Sequence, residues 1–291
     1  MVSVIIRKKK KRQYYYLKHS TARKQKEKYL GLKIPKNIDE IKKDFLLEFY
    51  REEWNRQVDA ISRNYKKESS RLPQSIKYKD FESFGMSFTY NTQRIEGSSL
   101  TESDTRDLLV HGVTPAKKSQ IDAIETKKHY DLFMKLVTSK KHAITKKMVM
   151  DWHGEIFGQT KIGEAGSIRS HRVGVVTNER IEFAPVNEIP KRLDEFFRWT
   201  RHKKTNPVEF AALAHYLFVS IHPFADGNGR ISRLMANYIL FLHDCPLMVI
   251  KNNDRRAYFK ALAKSQLKND EIYFLKWFMR YYTKSNARYL K

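Results

Sequence analysis

From residue 38 onward, apolar side chains recur at three- to five-residue intervals, beginning with Ile38, Ile41, Phe45, Phe49 and Trp54. That repeat belongs to helices with one buried face. It predicts helices at about 38–67, 78–95, 102–111, 119–139, 145–157, 187–202, 207–221, 227–243, 254–266 and 270–287. Thr101 before Glu102, Asn206 before Pro207 and Asn253 before Asp254 supply N-caps for three of them. Two segments depart from the helical repeat. In residues 1–36, Val2–Ile6 and Gln13–Leu17 are β-prone runs on either side of a basic turn, Arg7–Arg12. Tyr29–Ile34 offers a third strand, and Pro35 closes the segment. Further on, Val173-Gly174-Val175-Val176 and Ile181–Ala184 flank Thr177–Arg180 as strand, turn and strand. The expected fold class is therefore all-α, with one β-hairpin and a small basic N-terminal β appendage. Residues 1–36 form the appendage, 37–115 the N-terminal helices and 116–291 the main core.

Composition adds three constraints. An apolar share of 41% in 291 residues supports a sizeable core. The lone Cys245 cannot form an internal disulfide, no run of about 18 apolar residues exists to cross a membrane, and Met1–Ile6 is too short for a signal-peptide core. A cytoplasmic protein is expected. The net charge of +25 is uneven: residues 1–36 hold thirteen Lys and Arg against Glu27 alone, a net of +12. Such a segment attracts polyanions, and a nucleic acid or an acidic partner is expected there.

The chemistry concentrates in His222-Pro-Phe-Ala-Asp226-Gly-Asn-Gly-Arg230. Val208, Ala211, Ala212, His215, Phe218 and Val219 give residues 207–221 an apolar face, so that helix is buried and carries His222 at its end. Pro223 stops it, because proline disfavours helix at the preceding residue. Gly227 and Gly229 permit positive φ and close approach of the backbone at the start of the next helix. A glycine-flanked helix N-terminus offers free N–H groups and a positive dipole end to an anion. Arg230 and Arg233, three apart, would add two cations, and Asp226 is an oxygen donor suited to Mg²⁺ with substrate phosphates. A histidine base, a metal carboxylate, an N–H cradle and two arginines are the parts of phosphoryl or nucleotidyl transfer. The segment is neither a P-loop, lacking Gly-x4-Gly-Lys, nor an EF-hand, since Ile231 stands where that loop needs glycine.

His222-Pro-Phe-Ala-Asp226-Gly-Asn-Gly-Arg230-Ile-Ser-Arg233 resembles the signature of the Fic domain family, His-x-Phe-x-Asp/Glu-Gly-Asn-Gly-Arg-x-x-Arg, at every fixed position. The resemblance covers roughly residues 80–265. It implies a helical core and transfer of AMP from ATP to a hydroxyl of a target protein. His222 would then deprotonate the target, and Asp226 would hold Mg²⁺. Gly227, Asn228, Gly229 and Arg230 would cradle the α- and β-phosphates, and Arg233 would hold the γ-phosphate. Val173, Gly174, Val175 and Val176 would form a flap that docks the target by strand addition. Arg255, Tyr258 and Phe259 resemble the wall of the adenine pocket. Thr92-Gln-Arg-Ile-Glu96-Gly97 resembles the family's inhibitory motif, with Glu96 paired to Arg233. Removal of AMP, transfer of another phosphate-containing group, or nucleic-acid binding over an inactive core remain alternatives at this point, and a homodimer is compatible with all of them. The basic N-terminal appendage has no counterpart in the resemblance.

Overall fold

Ten helices fill residues 38–285 of the computed structural model, which describes residues 2–22, 24–174, 181–202 and 205–291. They are α1 (Ile38–Ser69), α2 (Gln74–Ile95), α3 (Glu102–His111), α4 (Gln120–Thr138), α5 (Lys146–Phe157), α6 (Ile189–His202), α7 (Pro207–Ile221), α8 (Asn228–Leu242), α9 (Arg255–Lys268) and α10 (Ile272–Ser285). Local chemistry fixes four of the starts. Thr101 Oγ1 accepts from the Asp104 N–H at 3.1 Å while Asp104 Oδ2 accepts from the Thr101 N–H at 2.9 Å, a reciprocal capping box. Asn206 Oδ1 accepts from the Glu209 N–H at 2.8 Å, with Pro207 in the first turn. Ser119 and Thr145 cap α4 and α5 in the same way. Asn253 does not cap α9. It lies in a 3₁₀ turn, Asn252–Asp254, where the Asp254 N–H bonds to the Lys251 carbonyl at 2.9 Å, and α9 follows without a side-chain cap.

The chain forms two compact units, residues 1–59 and 60–291. In the first, β1 (Ser3–Lys9), β2 (Arg12–Ser20) and β3 (Gln25–Gly31) make an antiparallel sheet in that order. β1 and β2 extend beyond the expected runs until only Lys10 and Lys11 turn between them, and β3 begins and ends earlier than expected. Lys24 and Lys26, beside and within β3, pair with Glu52 of α1, and the His19 ring packs edge-on against Phe49 at 4.6 Å.

In the second unit, α7 and α8 pack on each other at the centre and are buried along nearly their whole length. α2 lies along α4, α5 packs on α4, and α10 joins α7 to α9. The turn of the expected hairpin and the calls on Val175 and Val176 lie outside the described residues. The described flanks, Val173, Gly174 and Ile181–Ala184, carry no strand. A side chain reaches both edges of the segment, since Arg169 donates to the carbonyls of His171 at 2.8 Å and Ala184 at 2.6 Å.

α2 meets α4 closely at Gly85. A Cβ there would stand 2.8 Å from the Phe133 ring and 3.1 Å from that of Tyr130. Replacing a helical glycine by alanine normally favours folding by up to about 1 kcal/mol. Here overpacking against a buried ring should reverse the sign. Gly85→Ala is expected to lower stability by about 1–3 kcal/mol in denaturant unfolding; an increase in stability would show that α2 and α4 are not in this contact.

Candidate functional site

α7 ends at His222, whose backbone is left-handed at φ 53°, ψ 60°, outside the right-handed helical region that the following Pro223 disfavours. The His222 Nδ1–H donates to the Val219 carbonyl at 3.1 Å, which leaves Nε2 as the basic nitrogen. The Phe183 ring stacks on the imidazole, centroids 3.8 Å apart. Burial pushes the His222 pKa down from 6.5 to about 4, with Arg169 adding to the effect, so the ring is neutral at physiological pH.

The loop to α8 is held from inside. Asn228 Oδ1 accepts from the Phe224 N–H at 2.9 Å, and its Nδ2 donates to the Phe224 carbonyl at 2.8 Å. The buried Asn228 side chain is thereby committed to the loop; only its backbone remains for an anion, which narrows its expected role. Gly227 sits at φ +79°, and a Cβ would come within 2.5 Å of the Phe157 ring, so no other residue fits. His153 clamps the same loop. Its ring stacks on Phe224 at 3.8 Å, its Nε2–H donates to the Asp226 carbonyl at 3.0 Å, and its Nδ1 accepts from the Gly166 N–H at 2.8 Å. Arg169 completes the frame, donating from Nε to the His222 carbonyl at 2.8 Å.

The two arginines do not face one anion. Arg230 points to Glu125 of α4, to Gln93 Oε1 at 3.1 Å and to Asp226 Oδ2 at 3.1 Å. It is buried and acts as a clamp on Asp226. Arg233 turns to α2. Its Nε donates to Thr92 Oγ1 at 2.7 Å, and one terminal nitrogen donates to the Thr92 carbonyl at 3.1 Å and to Glu96 Oε1 at 2.7 Å. The other donates to the Tyr258 hydroxyl at 3.3 Å. The Arg233 side chain is 2% exposed and that of Glu96 27%. Burial is the largest influence and would lower the Arg233 pKa, but the Glu96 charge, the Tyr258 hydroxyl and the hydrogen bonds to both together hold the group above its usual value. Thr92 and Glu96 are one helical turn apart, so both reach the same guanidinium. Gly97, at φ +99°, ends α2 there. Across the gap, a Cβ on Gly229 would collide with the Glu96 carboxylate. Glu96 therefore lies against the N-terminal turn of α8, where an anion would bind.

Asp226 is half-exposed. Burial would raise its pKa, but Arg230 and Lys161, whose Nζ is 2.9 Å from Oδ2, bring it below the usual carboxylate range. An ionised oxygen donor at that place fits Mg²⁺, which takes one or two carboxylates with phosphate oxygens and water. Among the described residues no group of three or more acids, histidines or cysteines could hold a metal without such help.

Tyr258 does not wall an open pocket. It is 1% exposed, and its hydroxyl links Arg233 to His215 Nε2 at 3.0 Å. Phe259, 37% exposed beneath Arg255, is the accessible ring of the expected adenine region. Several contributors went unnoticed in the sequence: Glu125, Gln93, His153, Lys161, Arg169 and Phe183. Glu125 left a trace, because it places a carboxylate on the side of α4 that carries His129 and Leu132.

Residues 143–240 match the model of the Fic/DOC family. Protein adenylyltransferase Fic of Nematostella vectensis is 34% identical over 183 residues, 60% of this chain and 42% of that protein. Protein adenylyltransferase fic-1 of Caenorhabditis briggsae is 30% identical over 213 residues, 70% of this chain and 41% of that protein. The chain thus spans less than half the length of these curated relatives. A Fic domain containing signaling protein from Bacteroides thetaiotaomicron superposes with a TM-score of 0.73 at 25% identity, over 81% of this chain and 96% of its own. Fic-1 from C. elegans gives 0.73 at 25% identity, over 88% and 78%.

Four buried histidines give the fold a pH dependence. Burial lowers His129 and His215 to about 3, and His153 and His222 to about 4. The unfolded chain, with histidines near 6.5, binds protons that the folded chain refuses, so stability falls as pH drops from about 6.5 toward 4 and is unaffected by these groups above it. The Tm is expected to fall by about 5 °C or more between pH 7 and pH 4.5. A Tm that holds level over that interval would contradict neutral burial of these rings.

Proposed function

We propose that this chain, whose residues 143–240 match the Fic/DOC family model, is a protein adenylyltransferase, moving AMP from ATP to a Ser, Thr or Tyr hydroxyl of a target protein and restrained by its own Glu96. The observation that carries the reading is the Glu96–Arg233 pair, which places a carboxylate of α2 against the first turn of α8 beside the base His222. A nucleotide whose phosphates lie along the Gly227–Gly229 backbone has Arg233 as the buried cation for its terminal phosphate, once Glu96 yields. His222 Nε2 takes the proton of the target hydroxyl as its oxygen attacks the α-phosphorus. The α–β bridging P–O bond breaks, and pyrophosphate leaves. Asp226 would hold Mg²⁺, whose charge offsets that accumulating on the phosphates. Phe183 and Arg169 keep the imidazole and its carbonyl in place. The residues about 173–184 serve as the target-docking flap. Cytoplasmic location and a homodimer remain compatible with this reading.

Glu96 also has an accessible edge, which supports a second reading: a carboxylate beside the base could orient water and remove AMP. One assay separates the two. Chain, Mg²⁺ and a cell lysate are incubated with ATP labelled at the α-phosphate or, in parallel, at the γ-phosphate. α-Label should appear weakly on protein with the unaltered chain and about tenfold or more strongly with Glu96→Gly. It should fall by about 10²–10⁴ in Glu96→Gly/His222→Ala. Transfer of γ-label would instead mark a kinase-like reaction. Loss of label from pre-modified protein, dependent on Glu96, would favour removal. No transfer by Glu96→Gly with either label would end the transferase proposal.

A further inference from the structure

The three-stranded sheet contributes nothing to the chemistry above, and its register sorts its side chains into two faces. Paired residues of an antiparallel sheet project to the same side, alternating along each strand. Leu17, His19 and Lys26 share the side that meets α1. There the cations Lys24 and Lys26 share the carboxylate of Glu52, whose own pKa they lower to about 2. The opposite side carries Arg7, Arg12, Tyr14, Tyr16, Lys18 and Tyr29. Ring contacts confirm this: Tyr29 lies 6.3 Å from Tyr14 and 5.1 Å from Tyr16, and the Arg7 guanidinium sits over Tyr16 at 5.1 Å. Glu27, paired with Arg7 at 2.6 Å, is the one acid on the sheet. The β1–β2 turn adds five consecutive exposed cations, Lys8 to Arg12, for which no carboxylate partner occurs among the described residues.

We propose that this outer face and turn bind duplex DNA, with the β1–β2 ribbon entering the major groove. The charge calls for a dense line of anions, and duplex DNA presents one phosphate per about 1.7 Å of axis. The major groove, about 12 Å wide, admits a two-stranded ribbon. The deep, narrow major groove of an RNA duplex does not. Single strands are disfavoured by the same tyrosines that suggest them: stacking needs open ring faces, yet Tyr14 and Tyr16 are half-buried in a tilted cluster, and Tyr29, 51% exposed, is the open one. With the turn cations on the flanking phosphates, the donors of Lys18 and the tyrosine hydroxyls face base edges. The surface pair Arg7–Glu27 is weak enough to exchange for a phosphate.

The test is fluorescence anisotropy of the full chain with a labelled 24-base-pair duplex across a salt series. Binding should weaken steeply with salt. Lys8→Ala/Lys9→Ala/Lys10→Ala/Lys11→Ala/Arg12→Ala should reduce affinity by about 100-fold or more at 0.1 M salt and flatten the log–log salt slope by about 4 to 5. Alanines at exposed Lys67, Lys140, Lys264, Lys268 and Lys284 remove the same charge and should leave most of the affinity. Replacing Lys8–Lys11 by arginine should keep it, which separates lost charge from a damaged turn. Guanine N7 atoms should become protected from methylation in the bound duplex. The proposal is overturned if the control set weakens binding as much as the turn set, or if single strands, duplex RNA or polyglutamate compete as well as duplex DNA. Absence of N7 protection would overturn the groove assignment.

Discussion

A guanidinium in the middle of a helical core must be both neutralised and hydrogen-bonded, and the layout of this site follows from meeting that demand at Arg233. Leaving such a charge unpaired would cost several kcal/mol. Thr92 supplies two acceptors, the Tyr258 hydroxyl a third and Glu96 the countercharge. The partners are unequal. Thr92 and Tyr258 are buried and cannot leave without opening the core. Glu96 stands at the C-terminal end of α2, just ahead of the left-handed Gly97 and partly in solvent. The countercharge is the one replaceable member of the set.

Around that cation, the backbone is held in conformations that need support from several directions. His222 and Gly227 are both left-handed, five residues apart, and between them Pro223 and the Asn228–Phe224 bonds leave little freedom. Arg169 and His153 reach in from outside the loop to hold the His222 and Asp226 carbonyls. The result is a neutral imidazole with a fixed tautomer beside an ionised, half-exposed carboxylate. A base held at about 4 by burial is weak in strength but wholly deprotonated at neutral pH. Its effectiveness rests on placement, which the stacked Phe183 and the Val219 carbonyl provide.

The elements were legible because their causes are local. Helical periods, Thr101, Asn206 and Pro223 act within a few residues, and the observed boundaries follow them closely. The motif residues 222–233 and the Thr92/Glu96 pair were legible for the same reason, each spacing being a loop or a single turn. Partners across the fold were not. Arg230 meets Glu125 across 105 positions, and nothing in the spacing of Arg230 and Arg233 indicates that they turn to different carboxylates. Tyr258 was misplaced in a pocket wall because an aromatic at helical spacing reads the same whether it faces a cavity or a buried arginine. At the described edges of the expected hairpin, the Arg169 side chain bonds the His171 and Ala184 carbonyls, a long-range partner that residue type near 173–184 gave no sign of.

The pairing also limits how the proposed restraint can work. A ligand shifts an equilibrium only by the difference in its affinity for the two states. Arg233 keeps a countercharge in both, the Glu96 carboxylate in one and a terminal phosphate in the other, so the buried cation is never stranded. The gap between restrained and open states is then the difference between two ion pairs, less the loss of whatever else fixes the end of α2. The Ser98 N–H bonded to the Gln93 carbonyl at 3.0 Å and the Arg94 contact with the Ser98 carbonyl are part of that remainder. Moving such a balance from about 1:99 to 99:1 takes about 5.5 kcal/mol, more than an exchange of one anion for another at a single arginine should provide. Under the proposed reading, ATP alone would grade the restraint without abolishing it, and full release would require something that unravels the last turn of α2.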